Sequence, residues 1–265
     1  MTGFAADWLA LREPADWAAR STAVLEACKA HFAGMADISV CDLGSGTGAA
    51  VDAFGSYLPE RQRWLLTDND PANLAVARRD RQRAGIGIET AIADLAANPA
   101  VWPGHCQLAT ATALFDLASA GWIAAFAVKL AASRLPLLAS LTYDGKQTFS
   151  PIHPADGTML DAFNRHQRLD KGLGGPAAGP DAPRFLRESL EHHGYRTLER
   201  SSPWVLNGER DAALIAEVLQ GWVDAVTGAG FVGKAQAHGW LAERLAGTAA
   251  MTVGHTDLWA VPPVP

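Results

Sequence analysis

Three glycines at alternate positions, Gly44, Gly46 and Gly48, stand between an apolar run at 38–43 and a helix-forming run at 49–54. Glycine at a strand-to-helix turn admits backbone dihedrals closed to other residues. It also clears side chains away, so a nucleotide-like ligand can rest on bare peptide N–H groups and the helix N-terminus. Asp42, two residues ahead of the first glycine, sets a negative charge at the strand end. A pyrophosphate gains nothing from that charge, whereas an ammonium group does. The spacing Gly44-x-Gly46-x-x-Ala49 also satisfies the loose dinucleotide pattern. Two further runs end in acids. Residues 63–70 close on Asp68, Asn69 and Asp70, and a run at 88–92 leads to Asp94 and Leu95.

The stretch Asp42-Leu43-Gly44-Ser45-Gly46-Thr47-Gly48 resembles motif I of the class I S-adenosylmethionine-dependent methyltransferases, and the later acids fall in register with that family. The resemblance implies S-adenosylmethionine as cofactor, cradled by Gly44, Ser45, Gly46, Thr47 and Gly48, with Asp42 receiving the ammonium group of the methionine moiety. It implies Asp68 on the ribose hydroxyls, Asn69 beside the adenine, and Asp94 with Leu95 flanking the adenine ring. Helices ahead of the first strand close over the cofactor in that family, which makes Arg20 a candidate partner for the methionine carboxylate. Arg12 reads instead as a solvated arginine on an amphipathic helix. The fold implied is α/β and Rossmann-like: a doubly wound, mostly parallel sheet of seven strands with an antiparallel last strand. Two other functions stay open. One is an NAD(P)-dependent oxidoreductase, served by the dinucleotide spacing and an acid about 20 residues on. The other is a non-catalytic, methyltransferase-like scaffold.

These residues need a frame to hold them. Strands at 38–43, 63–68, 88–92, 107–111 and 135–143, with helices at 49–58 and 71–83, imply a parallel sheet with right-handed crossovers. Ligands of such sheets bind beyond the carboxyl ends of the strands. Asp42, Asp68, Asp94, Thr110 and Tyr143 all fall at such ends, which adds Thr110 to the cofactor-binding set. Asp70-Pro71 reads as a helix cap followed by proline at the first helical position. Residues 1–36 read as an N-terminal helical cap, with Trp17, Val24, Leu25, Cys28 and Phe32 at helical spacing, Pro14 at a helix start and Gly34 at its stop. Residues 37–265 form the methyltransferase domain. Within it, the Gly-, Pro- and polar-rich stretch 144–183 reads as an irregular segment placed to form a substrate lid. Helices near 182–193, 209–226 and 239–245 and strands near 195–198 and 251–261 complete the chain. The insertion at 201–248 is expected to serve the substrate side or a homodimer contact.

Methyl transfer from a sulfonium is an in-line displacement in which alignment and a dry site supply much of the acceleration. A base is needed only where the acceptor must lose a proton. Thr110-Ala111-Thr112-Ala113-Leu114-Phe115-Asp116 stands where the amino-methylating DNA and protein-glutamine enzymes carry Asn/Asp-Pro-Pro-Tyr. No cysteine follows a proline, as the cytosine-5 enzymes require. What remains is a small polar or anionic metabolite as methyl acceptor. Tyr143, His153 and His166 are the candidates for a base or orienting group, histidine because its ordinary pKa suits proton transfer near neutrality. Asn164, Arg165, Arg168 and Lys171 form a polar, largely cationic group able to bind a carboxylate or phosphate. Pairing with Asp161 and Asp170, or plain solvation, would explain the same charges. Asp116 reads as structural, at the helix that follows the fourth strand. No metal is assigned.

Composition agrees with such an enzyme. The chain has 265 residues, nearly half of them apolar, enough for one elaborated domain with a sizeable core. A net charge of −6 counts against a nucleic-acid partner. No apolar run approaches the roughly 20 residues that span a bilayer, and the N-terminus lacks a signal-peptide pattern. Cys28, Cys41 and Cys106 are spaced for neither a disulfide framework nor a zinc site, so the expected location is cytoplasmic.

Overall fold

The central strand of the computed structural model, which describes residues 5–264, is β1 (Asp37–Leu43). It lies parallel between β2 (Arg61–Asp68) and β4 (Leu108–Thr112). The sheet continues through β3 (Ile86–Ile92) on one side and β5 (Leu137–Ser150) on the other. Strand order reverses between β1 and β4, so their carboxyl ends diverge around one crevice.

Alternation along β1 shows why two layers of helix are needed. Ile38 and Val40 pack with Val24, Leu25 and Cys28 of α2 (Thr22–His31), with Val51 and Phe54 of α3 (Ala49–Gly55), and with Leu74 of α4 (Pro71–Asp80). Cys41 and Leu43 face the opposite layer, where Ile123, Phe126 and Leu130 of α5 (Ala120–Ala132) meet Leu186 and Leu190 of α7 (Ala182–His192). Local signals set the helix starts. Asp70 Oδ1 accepts from the Ala72 N–H at 2.8 Å with Pro71 opening α4, as expected, and Ser119 Oγ accepts from the Trp122 N–H at 3.1 Å.

The closing strand β8 (Ala250–Val261) inserts antiparallel between β5 and β6 (Arg196–Ser201). A short eighth strand, β7 (Trp204–Asn207), pairs with the other half of β8 and adds one strand to the seven expected. Both β5 and β8 run past the parallel sheet. Phe149, Met251 and Val253 on that extension bury against Met159 of α6 (Asp156–Gln167), Trp222 of α8 (Ala212–Gly228) and Trp240 of α9 (Lys234–Gly247). These pieces make a second lobe over the carboxyl ends of the sheet.

Two expectations are corrected here. The stretch 144–183 is not irregular throughout: β5 runs on to Ser150, and α6 forms because Met159, Ala162 and Phe163 give it an apolar face at helical spacing. The N-terminal cap is two helices with different neighbours. α2 belongs to the sheet, whereas α1 (Ala6–Ala19) packs Trp8, Leu11, Ala15 and Ala19 on the second lobe. Pro14 lies inside α1 rather than at a start, at the loss of one backbone bond. Trp17, which shares the helical spacing of the buried Val24, Leu25, Cys28 and Phe32, is itself 50% exposed. Among the described residues no helix is long and apolar enough to cross a membrane.

Candidate functional site

Gly44, Gly46 and Gly48 all adopt positive φ, at +62°, +52° and +76°. Gly46 has a second reason to lack a side chain, since a Cβ there would come within 2.9 Å of Leu9 on α1. The turn is pinned to β2: the Ser45 N–H donates to the Thr67 carbonyl at 2.9 Å and the Gly46 N–H donates to Asp68 Oδ2 at 2.8 Å. The other oxygen of Asp68 accepts from the Asp70 N–H at 2.9 Å. Arg81, just past α4, donates to the Thr47 carbonyl at 3.2 Å and pairs with Asp52 of α3 and with Glu13 of α1. One side chain thus joins the glycine turn to the helix lying over it.

Above the turn is a cavity of about 230 Å³. The structure brings Gly44, Gly46, Asp68, Asn69, Asp94 and Leu95 to its wall, from the ends of three different strands. Asp42, Ser45, Thr47, Gly48, Thr110 and Arg20 do not line it; Asp42, Thr47, Thr110 and Arg20 are buried. Thr110 Oγ1 donates to Asp42 Oδ1 at 2.7 Å, yet burial pushes the Asp42 carboxyl up to about 7, against the opposing effects of Thr110 and Arg20. Arg20 is buried with its guanidinium 5.3 Å from the Phe54 ring centre, and none of its three side-chain nitrogens has a hydrogen-bond partner among the described residues. Burial lowers its pKa, while Asp16, Asp257 and Asp42 act to raise it. An orphaned guanidinium near a buried carboxyl suits the two charges of an amino-acid end group.

The raised pKa of Asp42 has a consequence for the unliganded protein. The folded state holds this proton to about 7, whereas its ordinary value is 3.8. Stability contributed by the neutral carboxyl is therefore full below about pH 4 and is lost as pH rises toward 7. Asp42→Asn is expected to remove that loss, seen as a smaller drop in urea midpoint between pH 4.5 and pH 7.5 than in wild type.

A second cavity, of about 540 Å³, meets the first at Arg12, Ala113, Leu117 and Lys171. Tyr143, Phe163, Trp204 and Trp222 supply much of its wall. The Tyr143 hydroxyl donates to Asn164 Oδ1 at 2.8 Å and accepts from Gln147 Nε2 at 3.1 Å, and burial raises its pKa. Its proton is committed, so Tyr143 orients rather than titrates. His166 and Lys171 also line the cavity, 3.2 Å apart from Nδ1 to Nζ, and burial lowers the pKa of both.

Other residues of the expected set are not brought here. His153 lines neither cavity; its Nε2 lies 2.8 Å from Glu243. The Arg165 guanidinium stacks 4.1 Å from the Phe231 ring centre. Arg168 donates to Asp181 at 3.0 Å and to the Asn164 carbonyl at 3.1 Å. Asn164 stands behind Tyr143, its Nδ2 donating to the Gly145 carbonyl at 3.0 Å. α6 and the residues at its two ends turn these side chains to partners outside the cavity, which sequence spacing alone did not reveal.

Two residues read otherwise in sequence, and a third not singled out there, do line the site. Arg12 is buried, not solvated, and pairs through Nε with Asp16 at 2.9 Å while facing both cavities. Asp116 is on the second cavity's wall with its Oδ1 shut from solvent and unpartnered among the described residues. Burial raises its pKa to about 6, opposed by backbone hydrogen bonds and the charges of Arg12 and Lys171. His255 is buried on β8 with Nδ1 unpartnered, its pKa pushed down to about 3 chiefly by burial and also by Arg12. His255 and Asp257 were a visible signal, two titratable residues in a closing strand otherwise made of apolar residues, glycine and threonine.

Among solved structures the chain is similar to the cyclopropane synthase MmaA2 of Mycobacterium tuberculosis, with a TM-score of 0.53 at 11% identity over 97% of this chain and 94% of that one. It is similar to loganic acid methyltransferase with SAH, with a TM-score of 0.51 at 11% identity over 96% and 94%. A third likeness is to the YcgJ protein of Bacillus subtilis, with a TM-score of 0.51 at 12% identity over 92% of this chain and all (100%) of that one. No protein-family model matches the sequence. No curated protein is significantly similar to it. At such identities the likeness establishes the fold.

Proposed function

We propose that this chain, which has the class I S-adenosylmethionine-dependent methyltransferase fold, transfers a methyl group from S-adenosylmethionine to a small-molecule acceptor. The observation that carries the reading is the pair of adjoining cavities, one over the glycine turn and one in the second lobe, sharing Arg12, Ala113, Leu117 and Lys171. Asp68, Asn69, Asp94 and Leu95 would hold the nucleoside, with Arg20 and Asp42 assigned to the amino-acid end. The cofactor supplies an activated methyl group. The chain's own residues do the rest. Leu9 and Arg12 of α1 line the first cavity and would keep water from a cofactor bound there. The aromatic wall of the second cavity fixes the acceptor's orientation. Lys171, His166 and Asp116 give that cavity its polar end, which suits a small acceptor with a polar group. The three cysteines are free, which suits the cytoplasm.

Incubation with methyl-labelled cofactor and a mixed extract of small metabolites, protein and RNA is expected to move label into the small-molecule fraction. Label appearing only in protein or RNA would overturn the acceptor class.

A further inference from the structure

The second cavity is aromatic over much of its wall and carries a carboxylate next to where it meets the first. Resting on the methyl-transfer reading above, we infer that it takes a neutral, planar hydroxy compound, phenol-like, whose hydroxyl donates to Asp116. Asp116 precedes Leu117 and follows Ala113 by three residues, and both of those line the two cavities at once. A group bound to Asp116 is therefore presented at the junction, where a methyl group has to arrive. The free Oδ1 of Asp116 needs a donor, because an unpaired buried oxygen is costly.

The remaining wall fixes what carries that donor. Phe163 stacks on Trp222 with ring centres 4.6 Å apart and planes at 12°, and Tyr143 and Trp204 stand on the same cavity. Flat apolar faces of this kind suit a ring. The titratable and charged groups facing the cavity are Arg12 on α1, Tyr143 on β5, His166 on α6, Lys171 after it, Glu217 on α8 and His255 on β8. An ammonium acceptor would meet the like charges of Arg12 and Lys171, and a carboxylate would meet Asp116. A neutral hydroxyl meets neither conflict. With a carboxyl pKa of about 6, Asp116 is ionised at neutral pH and is a stronger base than an ordinary carboxylate. Asp116 receives the proton as the acceptor O–H bond breaks. The oxygen's electron pair forms the new O–C bond, and the pair of the breaking S–C bond stays on sulfur as a neutral thioether.

The test uses the full chain saturated with S-adenosylhomocysteine. It is titrated with 2-naphthol, 2-methoxynaphthalene, 2-naphthoate and 2-naphthylmethylamine while tryptophan fluorescence is followed. The expected result is that 2-naphthol binds about tenfold or more tightly than the others. That preference should fade below about pH 6 and vanish in Asp116→Asn, with the melting temperature and S-adenosylhomocysteine affinity of the variant unchanged. Equal binding of the methyl ether, stronger binding of the amine or the naphthoate, no binding of any probe, or an undiminished preference in the variant overturns this inference alone. Failure of wild type to bind S-adenosylhomocysteine overturns the reading beneath it.

Discussion

Replacing Asp257 with alanine is expected to lower the unfolding free energy by about 3–5 kcal/mol, the cost of leaving several buried donors without their shared acceptor at about 1–3 kcal/mol each. Asp257 is buried on β8 and gathers four donors from separate parts of the chain. Its Oδ1 accepts from Ser140 Oγ at 2.9 Å, from the Leu141 N–H at 2.8 Å and from Ser202 Oγ at 2.8 Å; its Oδ2 accepts from the Ser21 N–H at 2.8 Å. The Leu141 bond matters most for the site. Leu141 sits at φ +55°, inside the bulge where β5 slips register against β8, and it lines the second cavity. A non-glycine residue there costs about 1–2 kcal/mol, which its surroundings must offset. Alanine at 257 leaves those donors buried and unpaired, and it removes one of the acids that favour the charge on Arg20. Asp257→Asn keeps one accepting oxygen and should lose distinctly less. Urea unfolding with an unchanged slope is the check, and a loss under about 1 kcal/mol for the alanine variant would show that the network is not what holds the bulge.

Asp68→Ala is expected to weaken binding of S-adenosylhomocysteine about a hundredfold, or ~2.7 kcal/mol. Two separate losses contribute. Asp68 is on the wall of the first cavity, where its carboxylate can accept from a diol. It also holds the Gly46 and Asp70 N–H groups at 2.8 and 2.9 Å, so its removal loosens the turn as well as the contact. Asp68→Asn retains one accepting oxygen and should fall between the alanine variant and wild type. A melting curve for each separates loss of binding from loss of fold. Affinity unchanged in Asp68→Ala would refute the nucleoside assignment.

The first half of the sheet was legible because its strands are short apolar runs punctuated by glycine or an acid, and its helices carry caps such as Asp70-Pro71. Each boundary there is set locally. The second lobe was not, because its form depends on partners far away in sequence. β5 runs to Ser150 only because β8, about a hundred residues later, pairs with its far end. The polar surface of α6 hid the apolar face that buries Met159 and Phe163. Residues of the first cavity were readable because strand ends carry them there. Those of the second were readable only in part: Tyr143, His166 and Lys171 reach it, whereas His153, Arg165 and Arg168 turn elsewhere. Asp116 looked like an ordinary acid ahead of a helix. Only the packing of the second lobe over it makes it part of a wall.

Calorimetric titration of the purified chain with S-adenosylhomocysteine, with NADH and NADPH as parallel ligands, tests the central claim most directly. The account predicts saturable one-to-one binding of the thioether, weakened about a hundredfold in Asp68→Ala, and no heat from either reduced nicotinamide. Binding of a reduced nicotinamide in place of the thioether would contradict it, and the glycine turn would then be a dinucleotide site.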